Sequence, residues 1–336
     1  SIWAPHLIDF IASIVIMKSI AAALVVGAAA TQPSFEEWAA AFGFNDADDA
    51  LRTKYNGNLA EIERLNVEDN GATFAVNQFS GMTFEEFKAL YLTNTEPDTH
   101  MVDNTTIPVT YLKEDPLAAS VTDIDWVSKG GVTPVKDQGA CGSCWAFSTM
   151  ASVESVHKIN TGSIANLAEQ QLVDCNTGGN SGCDGGSATS ALQWLVSSPP
   201  CTTSSYPYRA TQGSCKTCTT SNVRIGGVQL TSSQSESALA SAVSSSPASV
   251  SVYADSAWQH YSSGVLAAAK TCSHNHAVLA VGYTSSAWKI KNSWGSSWGE
   301  SGYIRITKGL GGCGASGIVT SAARIPTSVS MDTVSV

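Results

Sequence analysis

The chain has 336 residues, 43% of them apolar, enough for two or three packing units, and this excludes collagenous, coiled-coil and wholly disordered architectures. Charged residues make up only 14% and the formal net charge is -10, so a basic nucleic-acid surface is disfavoured and no nucleic-acid partner is expected. The charge is unevenly placed: residues 1–119 carry 6 Lys/Arg against 17 Asp/Glu, and residues 120–336 carry 12 against 11. All nine cysteines lie between Cys141 and Cys313. That density points to an oxidising compartment with disulfides, and the odd count leaves one thiol over.

Met17-Lys18-Ser19 followed by the apolar run Ile20 to Ala30 has the form of a cleaved secretory signal ending near Ala28 to Thr31, with residues 1–16 an over-extended translation. The competing reading is a signal anchor, because Leu7 to Ala30 is long enough to span a bilayer. Ser34-Phe35-Glu36-Glu37 then opens a helix with a capping box. Tyr55, Asn58, Ile62 and Asn66 form one stripe of a second helix, Ala72 to Phe79 alternates like a strand, and Thr83 with Glu86 caps a third helix. Residues 95–121 are a Thr-, Asp-, Pro- and Asn-rich linker that holds the glycosylation sequon Asn104-Thr105-Thr106. Beyond the linker come a long helix from Cys144 to Lys158, a turn-rich cysteine region to Cys218, and strands at Ala248–Tyr253, His276–Tyr283, Trp288–Lys291 and Tyr303–Thr307. No internal repeat is apparent.

The chemistry concentrates in Gln138-Gly139-Ala140-Cys141-Gly142-Ser143-Cys144-Trp145. Cys144 opens an apolar-faced helix, where unsatisfied N–H groups and the macrodipole favour a thiolate. Taken alone, the string also fits a Cys141/Cys144 redox pair or half of a zinc site. Two later strings decide: Asn275-His276-Ala277 puts an imidazole at a strand start 132 residues after Cys144, and Lys291-Asn292-Ser293-Trp294 puts an amide 148 residues after it. The order and spacing of these blocks resemble a papain-like cysteine protease of the cathepsin L-like type, in precursor form. Tyr55, Asn58, Ile62 and Asn66 are similar to the second half of that family's propeptide helix motif, and Asn77-x-Phe79 to the centre of its GNFD motif, with Ala75 and Gly81 where Gly and Asp are usual.

The resemblance implies an α+β fold. In it a helical propeptide precedes a helical left domain around Cys144 and a right domain that is a β-barrel bearing His276 and Asn292. It divides the chain into a signal region 1–30 (cleaved signal 17–30), an inhibitory propeptide 31–119, a peptidase domain 120–325 and a tail 326–336. Cys144 would be the nucleophile, His276 the acid/base, Asn292 its orienter and Gln138 an oxyanion donor, with Trp294 shielding the Asn292–His276 hydrogen bond. Bridges Cys141–Cys183, Cys175–Cys215 and Cys272–Cys313 are implied, leaving Cys201–Cys218 as a further bridge and Cys144 as the odd thiol. Gly185 and Gly186 would pair with substrate backbone, and Ser187, Ala188, Ser251, Ala277 and Ile318 would line an apolar pocket for the side chain one residue before the residue at the cleaved bond, with Ile318 at its floor.

These implications describe an endopeptidase zymogen acting on protein or peptide substrates, inhibited by its own propeptide, monomeric, without metal or cofactor, in the secretory pathway and destined for a lysosome or vacuole or for the exterior. A silent papain-like binding or storage protein is the rival reading. His274 with His276 lacks a third metal ligand, and His157 and His260 read as surface or capping residues. The carboxylates of residues 31–120 are expected to dock the propeptide ionically, and acid to release it.

Overall fold

A computed structural model describes residues 32–45, 48–68, 70–92, 109–113, 123–327 and 329–331. The signal region and Asn104 lie outside the described residues. In the N-terminal unit, α1 (Phe35–Phe42) starts with a reciprocal cap: Ser34 Oγ accepts from Glu37 N, and the Glu37 carboxylate accepts from Ser34 N. Helix α2 (Asp49–Val67) buries Tyr55, Asn58, Ile62 and Leu65, and Tyr55 packs 4.9 Å from Trp38 of α1. Arg52 pairs with Glu36 at 2.8 Å and lies 4.3 Å above the Phe35 ring, so its alkyl stem and charge tie α2 to α1. Strand β1 covers Ala72–Phe74 and stops there. Asn77 Oδ1 takes Phe79 N–H and Ser80 Oγ takes Asn77 N–H, so a side-chain turn ends the alternation expected to reach Phe79. Helix α3 (Phe84–Tyr91) carries the second capping box, Thr83 with Glu86.

The remaining elements are β2 (Val109–Tyr111), β3 (Ile124–Asp125), α4 (Cys144–Thr161), α5 (Glu169–Cys175), α6 (Ala188–Ser197), β4 (Val223–Arg224), β5 (Gly227–Leu230), α7 (Glu236–Ser245), β6 (Ala248–Val252), α8 (Ser256–His260), β7 (Tyr261–Leu266), β8 (His276–Tyr283), β9 (Ala287–Lys291), β10 (Tyr303–Thr307), β11 (Arg324–Thr327) and β12 (Ser330–Met331). Helices α5 and α6 pack on α4; ten strands form one mixed sheet in the order β1-β7-β10-β9-β8-β6-β11-β5-β2, with β3 pairing β8 off this path, and β4 and β12 form a separate two-stranded sheet. Every residue of β8 is buried, as a central strand covered on both faces requires. The sheet is open where a barrel was expected. Its edge strands β7 and β5 pair outward instead, with β1 of the N-terminal unit and with β2 after the linker.

Four disulfides are present, Cys141–Cys183, Cys175–Cys215, Cys201–Cys218 and Cys272–Cys313, and Cys144 is the one cysteine outside them.

The two units meet through backbone and aromatic contacts. Beyond the β1–β7 pairing, Ala75 N–H donates to His260 O at 3.0 Å and Asn77 Nδ2 donates to Gln259 O at 2.7 Å. Phe79 and Phe87 stand edge-on to Trp294, with centroids 5.7 and 5.1 Å away. Among the described residues no ion pair crosses between the units; Arg52–Glu36, Lys54–Glu86 and Arg64–Glu61 all stay within the N-terminal one. Between the described residues the docking contacts are strand pairing, backbone and side-chain hydrogen bonds and aromatic packing. Truncating Phe79, which is 2% exposed, removes the centre of that packing. Phe79→Ala is expected to weaken docking by about 3–5 kcal/mol. Limited proteolysis should then degrade residues 32–92 well before the C-terminal unit, and equal resistance of variant and wild type would count against this account.

Candidate active site

The site forms where the N-terminus of α4 meets the β6–β8 pair. Cys144 is the first residue of α4, whose Ser143 N-cap makes no side-chain cap bond, so the helix start keeps donors for an anion. The helix is held on the sheet by Ser148, whose Oγ bonds both Ser249 Oγ and Val278 O at 2.7 Å. This seating brings Ala277 N–H to 3.3 Å from Cys144 Sγ. His276, one residue earlier on β8, is fully buried and donates from Nε2 to Asn292 Oδ1 at 2.7 Å. A bond to an amide oxygen fixes the proton on Nε2 and leaves Nδ1, a buried atom without a hydrogen-bond partner, as the basic nitrogen of the neutral ring.

Asn292 is itself oriented. Its Oδ1 also accepts Ser293 N–H at 2.8 Å, and its own N–H donates to Gly302 O at 3.0 Å. The preceding Lys291 points into a buried ionic cluster: its Nζ donates to Thr133 Oγ1, which bonds Glu154 on α4, while Lys136 bridges Glu154 and Glu169 of α5 at 2.7 and 2.6 Å. The cluster fixes the end of β9 against the helical half. Trp294 lies over the pair, stacked 4.7 Å from His276 and nearly perpendicular to Trp298, and its zero exposure keeps water from the His276–Asn292 bond. Burial pushes the His276 imidazole down to about 4, with the Asn292 bond opposing.

Gln138 is held with Oε1 accepting from Ser293 Oγ at 2.7 Å, so Nε2 is free to be aimed at the cleft. In this closed form Nε2 donates to Tyr91 O at the end of α3 and to Cys141 O, each at 3.0 Å. A carbonyl oxygen of the N-terminal unit thus sits on the donor expected to serve an oxyanion. Tyr208 closes the other side, donating to Gln138 O at 2.7 Å and bonding Ser143 Oγ at 2.6 Å.

Gly185 has φ 119° and Gly186 packs so tightly that an added Cβ would lie 2.7 Å from the Trp145 ring. Glycine at 186 is therefore required by contact with α4, independent of any substrate. Ser187 caps α6 through its Oγ, Ala188 begins that helix, and Ser251 faces Ala277 across the β6–β8 register. Ile318 is buried beside Gly314, in a loop whose Ser316 carbonyl and hydroxyl bond Tyr253 and Trp258. From this C-terminal segment the residue that reaches Ser251 is Arg324, through Nη1 to Ser251 Oγ at 3.0 Å. Ser293, Tyr208 and Arg324 had no signal in the sequence, since each acts through contacts far along the chain. His260 is also corrected, being buried at the contact with the N-terminal unit with Nε2 3.2 Å from Asn58 Oδ1. His157 is buried too, at 2% exposure.

Comparison with known proteins agrees with this geometry. The papain family cysteine protease model matches residues 120–323, and the cathepsin propeptide inhibitor domain model matches residues 35–87. The chain is 36% identical over 296 residues to the senescence-specific cysteine protease SAG39 of Oryza sativa subsp. indica, covering 84% of this chain and 86% of that one. It is 41% identical over 305 residues to digestive cysteine proteinase 2 of Homarus americanus, covering 84% and 92%. Among solved structures, recombinant stem bromelain precursor superposes with a TM-score of 0.77 at 35% identity, covering 87% of this chain and 97% of the other. Digestive procathepsin L2 of Tenebrio molitor larval midgut superposes with 0.78 at 31% identity, covering 87% and 98%. With a thiol at a helix start beside an Asn-anchored imidazole, and an N-terminal unit of the propeptide inhibitor type laid across them, the chain belongs to the papain family of cysteine proteases and is the zymogen of one.

Proposed function

We propose that Cys144, His276, Asn292 and Gln138 carry out hydrolysis of internal peptide bonds in protein or peptide substrates, after removal of the propeptide 31–119 from the peptidase domain 120–325. The observation that carries this reading is the Asn292–His276 bond at 2.7 Å beside a strand whose next amide lies 3.3 Å from Cys144 Sγ. Cys144 Sγ attacks the substrate carbonyl, and the oxyanion is met by Gln138 Nε2 and the Cys144 N–H at the helix start. His276 gives its proton to the leaving amine, and the resulting thioester is cleaved by a water that His276 deprotonates. Asn292 holds the ring through both steps. The four bridges support a secretory route to a lysosome, vacuole or the exterior, and the enzyme acts as a monomer.

Latency has a physical basis in the same contacts. Phe79 and Phe87 cover Trp294, which covers His276, and the desolvated imidazole is held neutral, while Tyr91 O occupies the Gln138 donor. Undocking rehydrates the site, restores the ordinary His276 basicity and allows the thiolate–imidazolium pair to form.

Cys144→Ser is expected to abolish peptidase activity with folding and secretion intact. Cys141→Ser breaks a bridge, a loss of about 2–5 kcal/mol, and should impair folding instead. Fluorogenic peptide cleavage and secreted yield separate the two, and surviving activity in Cys144→Ser would refute the assignment.

Acid release is expected to act through His260. Glycine at position 81 cannot be replaced by Asp, because an added Cβ would lie 2.6 Å from the Trp38 ring and 2.8 Å from Leu51 Cδ1. His260, on α8, faces Asn58 and Glu61 of α2, with Asp255 at the start of its own helix. Burial pushes it from 6.5 to about 4, against the pull of Glu61, whose own carboxylate is held low by Arg64 and by a bond from Ser256 Oγ at 2.7 Å. The docked form therefore binds fewer protons than the undocked one. Docking is at full strength above pH 6.5 and weakens as pH falls towards 4, by about tenfold per pH unit for one proton. In the Cys144→Ser background, His260→Phe should remove one proton's share of the pH dependence of propeptide release from the linker-cut protein over that range, leaving the share of His276; an unchanged pH profile would exclude His260 as a sensor.

A further inference from the structure

The chain ahead of the peptidase domain touches the main sheet at both of its ends. β1 pairs with β7 at one end of the strand path, and β2 pairs with β5 at the other. The second pairing is parallel, with Val109, Thr110 and Tyr111 in register with Val228, Gln229 and Leu230. Just past the strand end, Leu112 N–H donates to Leu230 O at 2.8 Å. β11 lies on the other side of β5, so among the described residues β2 is what covers the outer edge of β5. Val109 and Leu112 are half-buried against the core, while Tyr111 between them is 71% exposed. The strand thus brings two apolar side chains and a row of backbone groups, and an edge left without it presents unpaired N–H and C=O groups to water.

We propose that the edge of β5 is a docking surface for the chain's own segment Val109 to Leu112, and that this strand is a second anchor of the inhibitory segment, separate from the contacts at β7 and Trp294. The proposal rests on the reading that residues 31–119 leave the peptidase domain and that their departure uncovers the catalytic site. A cut between residues 113 and 120 places β2 on the segment that must leave. That segment is then held at two places joined by one chain. Opening either contact leaves the other in place, so the open end rebinds as an intramolecular event at high effective concentration. A cut between residues 92 and 109 leaves β2 with the enzyme instead, and residues 32–92 are held by the β7 and Trp294 contacts without it. The position of the cut therefore sets how long inhibition outlasts it. Because β5 reads backbone, its occupant must be an extended segment running parallel to it with an N–H where Leu112 has one.

The test uses the full chain carrying Cys144→Ser, with a recognition sequence for a site-specific protease placed either between residues 92 and 109 or between residues 113 and 120. After the cut, departure of the N-terminal fragment on dilution is followed by gel filtration. The fragment that includes β2 is expected to leave at least about tenfold more slowly than the fragment that ends before it. Leu112→Pro deletes the donor to Leu230 O and should bring the slow fragment to the rate of the fast one. Tyr111→Pro is the control: N–H groups alternate in direction along a strand, so the Tyr111 N–H faces away from β5 and its loss should keep the slow rate. Should Leu112→Pro not fold, the two cuts in the otherwise unaltered chain still decide. Equal rates for the two cuts, or a slow fragment indifferent to Leu112→Pro, overturns the second anchor and leaves the catalytic reading standing. In chains that keep Cys144, peptide cleavage should rise in step with fragment departure for both cuts. Departure without cleavage, and without alkylation of Cys144 by a thiol-reactive epoxide, overturns the catalytic reading beneath the proposal, and the proposal with it.

Discussion

The seating of α4 on the β6–β8 pair is the contact from which the rest of the site follows. Ser148 reaches two strands at once, and the helix start is then pressed against the amide of Ala277. Because Cys144 lies at a helix terminus and His276 at a strand start, their separation is set by two rigid elements and one packing interface. The buried Lys136–Glu154–Glu169 cluster guards the same interface at its polar end, fixing β9 and hence Asn292. Such a cluster has little net value as stabilisation, but removing one partner strands a buried charge, so the interface tolerates few alternatives.

Inhibition uses the same surfaces as catalysis. Trp294 shields the His276–Asn292 bond from one side and receives Phe79 and Phe87 on another. Gln138, the proposed oxyanion donor, gives its Nε2–H to the Tyr91 carbonyl. The propeptide need not distort the site; it occupies the polar donor and dries the imidazole, both of which reverse when it leaves. Among the described residues its hold is made of β1–β7 pairing, hydrogen bonds and aromatic contacts, and the buried titratable group at that contact is His260.

Local signals survived folding where they are self-contained. The Ser34/Glu37 and Thr83/Glu86 caps and the strand His276–Tyr283 are readable because each is closed within a few residues. The strand expected over Ala72 to Phe79 was shortened because the Asn77 and Ser80 side chains offered the backbone nearer partners than the sheet. The sheet stays open at its ends, where β7 pairs with β1 and β5 with β2.

By itself the sequence determined the chemistry: a thiol, an imidazole, two amides and a tryptophan in three short strings, an odd cysteine, and an acidic helical segment ahead of them. Those properties are fixed by side-chain type and spacing along the chain. Tertiary structure alone decided what surrounds them. Arg324 stands 73 residues from Ser251 and 135 from Thr189, and His260 stands 202 from Asn58, so no window of sequence contains either contact. A buried guanidinium bridging α6 and β6 and a dry histidine under the N-terminal unit arise from packing, because burial and partner choice belong to the folded structure and not to the residue.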